Sequence, residues 1–275
     1  MNAHVSYQAD PIVRTNLDFH LNEAPRFWFG GDPFRTRIFD ALSLTFPDGE
    51  RYFIECVRLF RDKINDPELQ ERVADFIRQE AQHGIAHDKM NQIMKEQGMP
   101  VDQFTNRLKK IFRFELKNRS PQYNIAMTAA AEHLTALMAD TFYSKKETLA
   151  EADPFVRALF AWHAIEEMEH RDVAFDVMQQ VGEVPELTRR SALVITTLLM
   201  FGFTLYRTDV MLKTDGFSWY FHGAVWPKFN SRCRLSSWLI LFDQGSHATL
   251  LRSLLACMCL KLKYSISPVI NANKK

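Results

Sequence analysis

"WHAIEEMEH", residues 162–170, places three carboxylates and two imidazoles within nine positions of a segment otherwise patterned like an amphipathic helix. The flanks, "DPFVRALFA" (153–161) and "RDVAFDVMQQ" (171–180), are ordinary in composition. Each residue of an α-helix turns by about 100°, so positions i, i+3, i+4 and i+7 share a face. Val156, Leu159, Phe160, His163, Glu166/Glu167, His170, Val173/Ala174 and Val177 then form one stripe, and Glu169 falls off it. The stripe is apolar at both ends and ionisable in the middle, whereas a solvated face would be charged along its length. The spacing predicts a helix from Asp153-Pro154 to about Gln180 that carries its titratable groups on the buried side.

Working outward, the same pattern recurs. "PELQERVADFIRQEAQHGIAHDKMNQIMKEQG" (67–98) has Pro67 in its first turn and Gly98 at its end, as a helix should. Its stripe runs Val73, Phe76, Ile77, Glu80, His83, Gly84, His87, Met90 and Met94. "QYNIAMTAAAEHLTALMADTFY" (122–143) is nearly all apolar and puts one carboxylate, Glu132, among small residues, while His133 points about 100° away. "FPDGERYFIECVRLFRDKI" (46–64) predicts a further helix, in which Glu50 lies on the apolar stripe and Glu55 on the opposite side beside Arg51 and Arg58. Nothing alternates at period two, so the chain is expected to be all-α.

A carboxylate buried without partners costs several kcal/mol or shifts its pKa until it is neutral. Four helices that each bury a Glu need one explanation, and divalent metal answers several carboxylates at once. The set is Glu50, Glu80 with His83, Glu132, and Glu167 with His170: two lone Glu and two Glu-x-x-His pairs. Ferritin-like di-iron and di-manganese carboxylate proteins carry that arrangement. It predicts a ferritin-like four-helix bundle with a buried two-metal site and further helices C-terminal to it. His87 and His163 are candidates either to ligate or to orient a ligand. Glu166 competes with Glu167; the spacing to His170 favours Glu167, which leaves Glu166 to bridge or to act as general base.

The stretches "LSLTFPDGERYF", "FIRQEAQHGIAH", "AAEHLTALMAD" and "WHAIEEMEHRDVAFDV" together resemble a bacterial family of predicted metal-dependent hydrolases. The resemblance implies a metal site on Glu50, Glu80, His83, Glu132, Glu167 and His170, with histidine also at 87 and 163.

Bulk composition fits this outline. The chain has 275 residues, 47% hydrophobic and 24% charged, which places it among globular proteins. Lys and Arg number 34 against 33 Asp and Glu, a net charge of +1 that gives no pull towards nucleic acid. Gly is scarce at 10 and Phe abundant at 22, favouring helices over turn-rich β structure. Cys56, Cys233, Cys257 and Cys259 form no CxxC and suggest neither a zinc knuckle nor a disulfide framework. The polar first twenty residues predict a cytoplasmic protein.

The expected organisation is one domain over 1–275: an extension, mostly loop, over 1–45; the bundle over 46–180; and an apolar helical tail over 187–275 packed on it. The basic stretch 107–119 is expected to be a connector helix with one solvated face. The apolar run 192–206 is fifteen residues long, short of the roughly 20 a bilayer span takes. With "HATLLRSLLACMCLKLKY" (247–264) it suggests contact with the inner face of a membrane.

Four carboxylates and two imidazoles make an oxygen-rich donor set without thiolate, which suits iron, with manganese or zinc as other occupants. On that basis the first expectation is a di-iron oxidase or oxygenase. It would use two Fe, O₂ and an electron donor on a small apolar, acyl-type substrate, with a homodimer as the expected assembly. The alternative is a two-metal hydrolase in which Glu166 or His163 acts as base. A non-enzymatic metal-binding bundle is the third expectation.

Overall fold

The structure, a computed structural model, describes residues 11–143 and 148–217. The chain divides into a compact unit of residues 1–219 and a second of residues 220–275. The second unit, and with it the expected segment at 247–264, lies outside the described residues.

Every regular element among the described residues is helical. They are α1 (Pro33–Ser43), α2 (Phe46–Arg58), α3 (Pro67–Glu96), α4 (Val101–Asn118), α5 (Pro121–Tyr143), α6 (Pro154–His170), α7 (Val173–Asp176) and α8 (Glu186–Thr214). Local chemistry sets several starts. The Asp32, Asp66 and Asp153 carboxylates each accept from first-turn N–H groups, and a Pro follows each in the first turn.

α2 packs on α3 and α5, and α6 packs on the same two helices, so these four enclose a common interior. α1 and α8 pack on each other, α8 also covers α5, and α4 lies against α2, α3 and α5. The array is therefore larger than a four-helix bundle. Two hydrophobic clusters fill it. One contains Phe39, Met90, Met94, Leu159 and Phe160; the other contains Phe60, Val73, Phe76, Ile125 and Val177. α3 runs from one cluster to the other, as do α6 and α7 taken together, and the ionisable stretches lie between the two. That is the physical meaning of stripes that are apolar at both ends.

Three local features differ from expectation. Residues 33–43 form α1 despite the Pro and Gly around them, because Asp32 caps the helix and Phe39, Ala41 and Leu42 are buried. The helix expected to run unbroken to Gln180 turns at Arg171–Asp172, directly after His170, and resumes as α7 and a π-helical turn over Val177–Val181. Val173, Ala174 and Val177 remain fully buried across the break. The helix expected over 46–64 ends at Arg58, with a separate 3₁₀ turn at Arg61–Lys63.

α8 is nearly twice the length of the apolar run within it. Its 29 residues, at mean hydropathy 1.3 over the most apolar window, make it long and apolar enough to cross a membrane by length and composition alone. One face packs on α5 and α1, and Leu187, Leu198 and Leu199 are exposed on another.

Candidate metal centre

The stripes converge. Glu50 from α2, Glu80 and His83 from α3, Glu132 from α5, and His163, Glu167 and His170 from α6 are all buried at the centre of the helical array. They fall into two groups whose donor atoms lie within 4.8 Å of one another: Glu50, His83 and His163, and Glu80, Glu132, Glu167 and His170. Glu167 sits between them. Its Oε1 lies 3.0 Å from His163 Nε2, 3.6 Å from His170 Nε2 and 3.9 Å from His83 Nδ1. His170 Nε2 is 3.0 Å from Glu80 Oε1 and 3.3 Å from Glu132 Oε2.

Both oxygens of Glu50, Glu80 and Glu132, together with His83 Nδ1 and His170 Nε2, are buried without a hydrogen-bond partner. Buried polar atoms are normally paired, because an unmet donor or acceptor in the interior costs about 1–3 kcal/mol and more when charged. Here eight such atoms face one another.

The outer atoms of the histidines are, by contrast, fully engaged, and this fixes the inner ones. His83 Nε2 is 3.1 Å from the Glu166 carboxylate, which can only accept, so Nε2 carries the proton and Nδ1 turns a lone pair inward. Gln79 donates through Nε2 to Glu169 and to the Ile12 carbonyl, so its Oε1 accepts from His170 Nδ1 at 2.9 Å. His170 Nε2 is then the inward lone pair. The Ser43 hydroxyl donates to Asn91 Oδ1, accepts from His87 Nδ1 at 2.9 Å, and leaves His87 Nε2 to accept from His163 Nδ1 at 2.7 Å. His163 Nε2 also turns inward and is hydrogen-bonded to Glu167 Oε1 at 3.0 Å. The two unpartnered imidazole nitrogens, His83 Nδ1 and His170 Nε2, face carboxylate oxygens and repel them unless protons or a metal cation lie between. The donor set therefore fits divalent metal, with nitrogen and oxygen ligands and outer partners of the kind that orient metal-binding histidines.

Electrostatics agree. Burial and the neighbouring Glu80 and Glu167 charges push the Glu50 carboxyl well above its usual range, and burial with Glu167 and Glu80 does the same to Glu132. For Glu167, burial acts upward, but its hydrogen bonds to His163 and His170 outweigh it and hold the carboxyl low. In Glu80 burial is likewise outweighed, here by the His170 charge. His83 is opposed by burial and still raised to about 9 by Glu166 and Glu80, and His170 is raised well above the usual imidazole range by Glu80, Glu132 and Glu167. His163 is lowered by burial and by His83, and His87 is held far lower by burial and by His163.

Of the residues expected at the site, Glu50, Glu80, His83, Glu132, His163, Glu167 and His170 are brought together. Glu166 and His87 stand one layer out. Glu166 is fully buried but holds His83, the Trp162 indole N–H at 2.7 Å and Arg14 at 3.0 Å, so its oxygens are occupied and turned away from the centre. His87 touches His163 rather than the cluster. Sequence reasoning did not single out Gln79, Arg14, Ser43 or Thr135, whose hydroxyl donates to Glu167 Oε2. Gln79 sits next to Glu80 and was findable; Arg14 lies too far away in sequence to leave any signal.

A family model described as "Predicted metal-dependent hydrolase" matches residues 13–259, most of the chain. No curated protein and no solved structure matches it. The family match overturns the expectation of a di-iron oxidoreductase. That expectation rested on an oxygen-rich donor set, yet carboxylate and imidazole serve zinc and manganese as readily as iron.

Proposed function

Because the chain belongs to the family of predicted metal-dependent hydrolases, we propose that α2, α3, α5 and α6 are a ferritin-like core that holds two divalent metal ions for hydrolysis. Glu50 and His83 would hold one ion, Glu132 and His170 the other, and Glu80 and Glu167 would complete the set. The observation that carries this reading is the set of eight unpartnered, buried, mutually facing donor atoms. Two bound ions supply Lewis-acid polarisation of the scissile group and lower the pKa of water.

The chain's own residues do the rest. Glu50 and Glu167 are the site carboxylates that line a cavity bounded by α2, α4, α5 and α8, so a substrate reaches the centre past them. His163 Nε2 lies 3.6 Å from Glu50 and 3.0 Å from Glu167, and with Glu167 drawn to metal its lone pair would be free to face an attacking water. It accepts the proton. His87 takes the Nδ1–H hydrogen bond of the resulting imidazolium, and Glu167 takes the new Nε2–H. The Phe46 ring packs edge-on against both imidazoles, with centroids 4.8 Å from His87 and 4.5 Å from His163, and keeps water off their faces. Glu166 orients His83 and is not the base.

Zinc- or manganese-loaded protein should hydrolyse members of an ester and phosphoester panel, and chelation should abolish the activity. His163→Gln should keep its metal while kcat falls by about 10²–10⁴-fold, the usual worth of a positioned acid–base group. Two bound metals with no turnover on any panel member would overturn the reading.

A further inference from the structure

The cavity that reaches Glu50 and Glu167 measures about 160 Å³. A cavity of roughly 150 Å³ takes up a hydrocarbon the size of benzene. Phe53, Leu108, Ile111, Met127, Met200 and Phe203 give it mainly apolar walls. Of its charged groups, Glu115 is answered by Arg119 at 3.4 Å. Arg207, on α8, is not answered in that way.

Arg207 lines the cavity and is only 4% exposed. It donates to the Thr45 hydroxyl and is flanked by the Phe104 and Phe203 rings, each 5.9 Å from the guanidinium carbon. Among the described residues no carboxylate lies within ion-pair distance of it. Asp48 attracts it from farther off but is paired with Arg51 at 2.9 Å. Burial pulls the guanidinium down to about 10. Arg37, equally buried, shows the usual solution: Asp40 and Asp215 meet it, each at 2.6 Å. A guanidinium has five N–H donors in a fork that fits oxyanions, and Arg207 keeps most of that capacity free beside an apolar cavity that ends at the metal ligands.

We propose that this cavity binds a substrate with a short hydrocarbon chain and an oxyanion group: the chain lies between α4, α5 and α8, the oxyanion meets Arg207 and Thr45, and an ester bond is presented to Glu50 and Glu167. What becomes of the ligand rests on the hydrolase reading; what the ligand is rests on Arg207. In the reaction, the oxygen of water joins the acyl carbon and the acyl–oxygen bond breaks. One water proton passes to His163 Nε2 and is returned to the leaving alkoxide, and the acid product keeps the water's oxygen.

The test is calorimetric binding of hexanoate and of hexanol to metal-free and metal-loaded protein. Hexanoate should bind about tenfold or more tighter than hexanol in both forms, because a charge-assisted hydrogen bond is worth about 1.5–3 kcal/mol. In metal-free Arg207→Met the preference should fall to within about twofold. Metal content and helical circular dichroism should match the unsubstituted protein. Arg207→Lys should retain part of the preference, and Met200→Trp, which fills the cavity, should weaken both ligands. Equal binding of the two ligands, a preference unchanged in Arg207→Met, or a preference seen only with metal bound would each overturn the proposal. Arg207-dependent binding without turnover on any ester would instead count against the hydrolase reading alone.

Discussion

At the scale of single residues, three imidazoles have their outer nitrogens tied down so that their inner ones face a carboxylate cluster. Gln79 shows how much depends on one partner. Its amide oxygen, held by its own donation to Glu169 and Ile12, fixes the His170 ring. Gln79→Leu should leave the fold intact and weaken metal binding about 10–100-fold, measured by competition with a coloured chelator. Protons compete for the same atoms. Glu50, Glu132, His83 and His170 all have raised pKa values in the metal-free chain, so at neutral pH it holds protons that metal must displace. Metal binding should therefore release protons and tighten as pH rises from 5 towards 9, the value to which His83 is raised. The shift in Tm on adding zinc at several pH values checks the sign; a larger shift at pH 5 than at pH 8 would contradict it. Spacing along the helices made the inward residues legible. The residues that orient them were mostly not, because Arg14 and Ser43 reach their partners across 152 and 44 positions of sequence.

At the scale of elements, the period-3.6 stripes located α2, α3, α5 and α6, because the stripes have apolar ends in the two hydrophobic clusters, that of α6 continuing into α7, and a polar middle between them. The break after His170 left no signal, since the stripe continues through Val173 and Val177 regardless. α1 was obscured by the turn residues around it, and an ion network adds to the Asp32 cap and the buried apolar residues that hold it. Arg37 on α1 is 0% exposed and joins Asp40 to Asp215, the C-cap of α8. The Trp28 indole N–H and Arg26 complete the network at 2.9 and 2.6 Å. Arg37→Met would leave two buried carboxylates short of their cation. It should cost about 3–5 kcal/mol, because breaking a buried pair strands a charge. A loss in Tm on the order of 10 °C is expected; a change under 2 °C by differential scanning calorimetry would show the network to be dispensable.

At the scale of the whole molecule, the all-α class was legible from the missing period-two pattern and the scarcity of Gly. The chemistry was not, since the same carboxylates and imidazoles serve redox and hydrolytic metals alike. Placing the carboxylate layer between two hydrophobic clusters would tie stability to metal: ions at the centre would cancel repulsion that α2, α3, α5 and α6 otherwise share. Chelation should therefore lower Tm cooperatively, with one transition rather than two, because every helix that lines the site also reaches a hydrophobic cluster.

The most direct test is to count zinc or manganese ions per chain by native mass spectrometry, on metal-free protein titrated at pH 8, beside Glu167→Ala. Two ions per chain, reduced to one or none when the carboxylate of Glu167 is removed, is the predicted result. A chain that stays metal-free, or a Glu167→Ala variant that still takes up two ions with undiminished affinity, would contradict the assignment of the cluster as a two-metal centre.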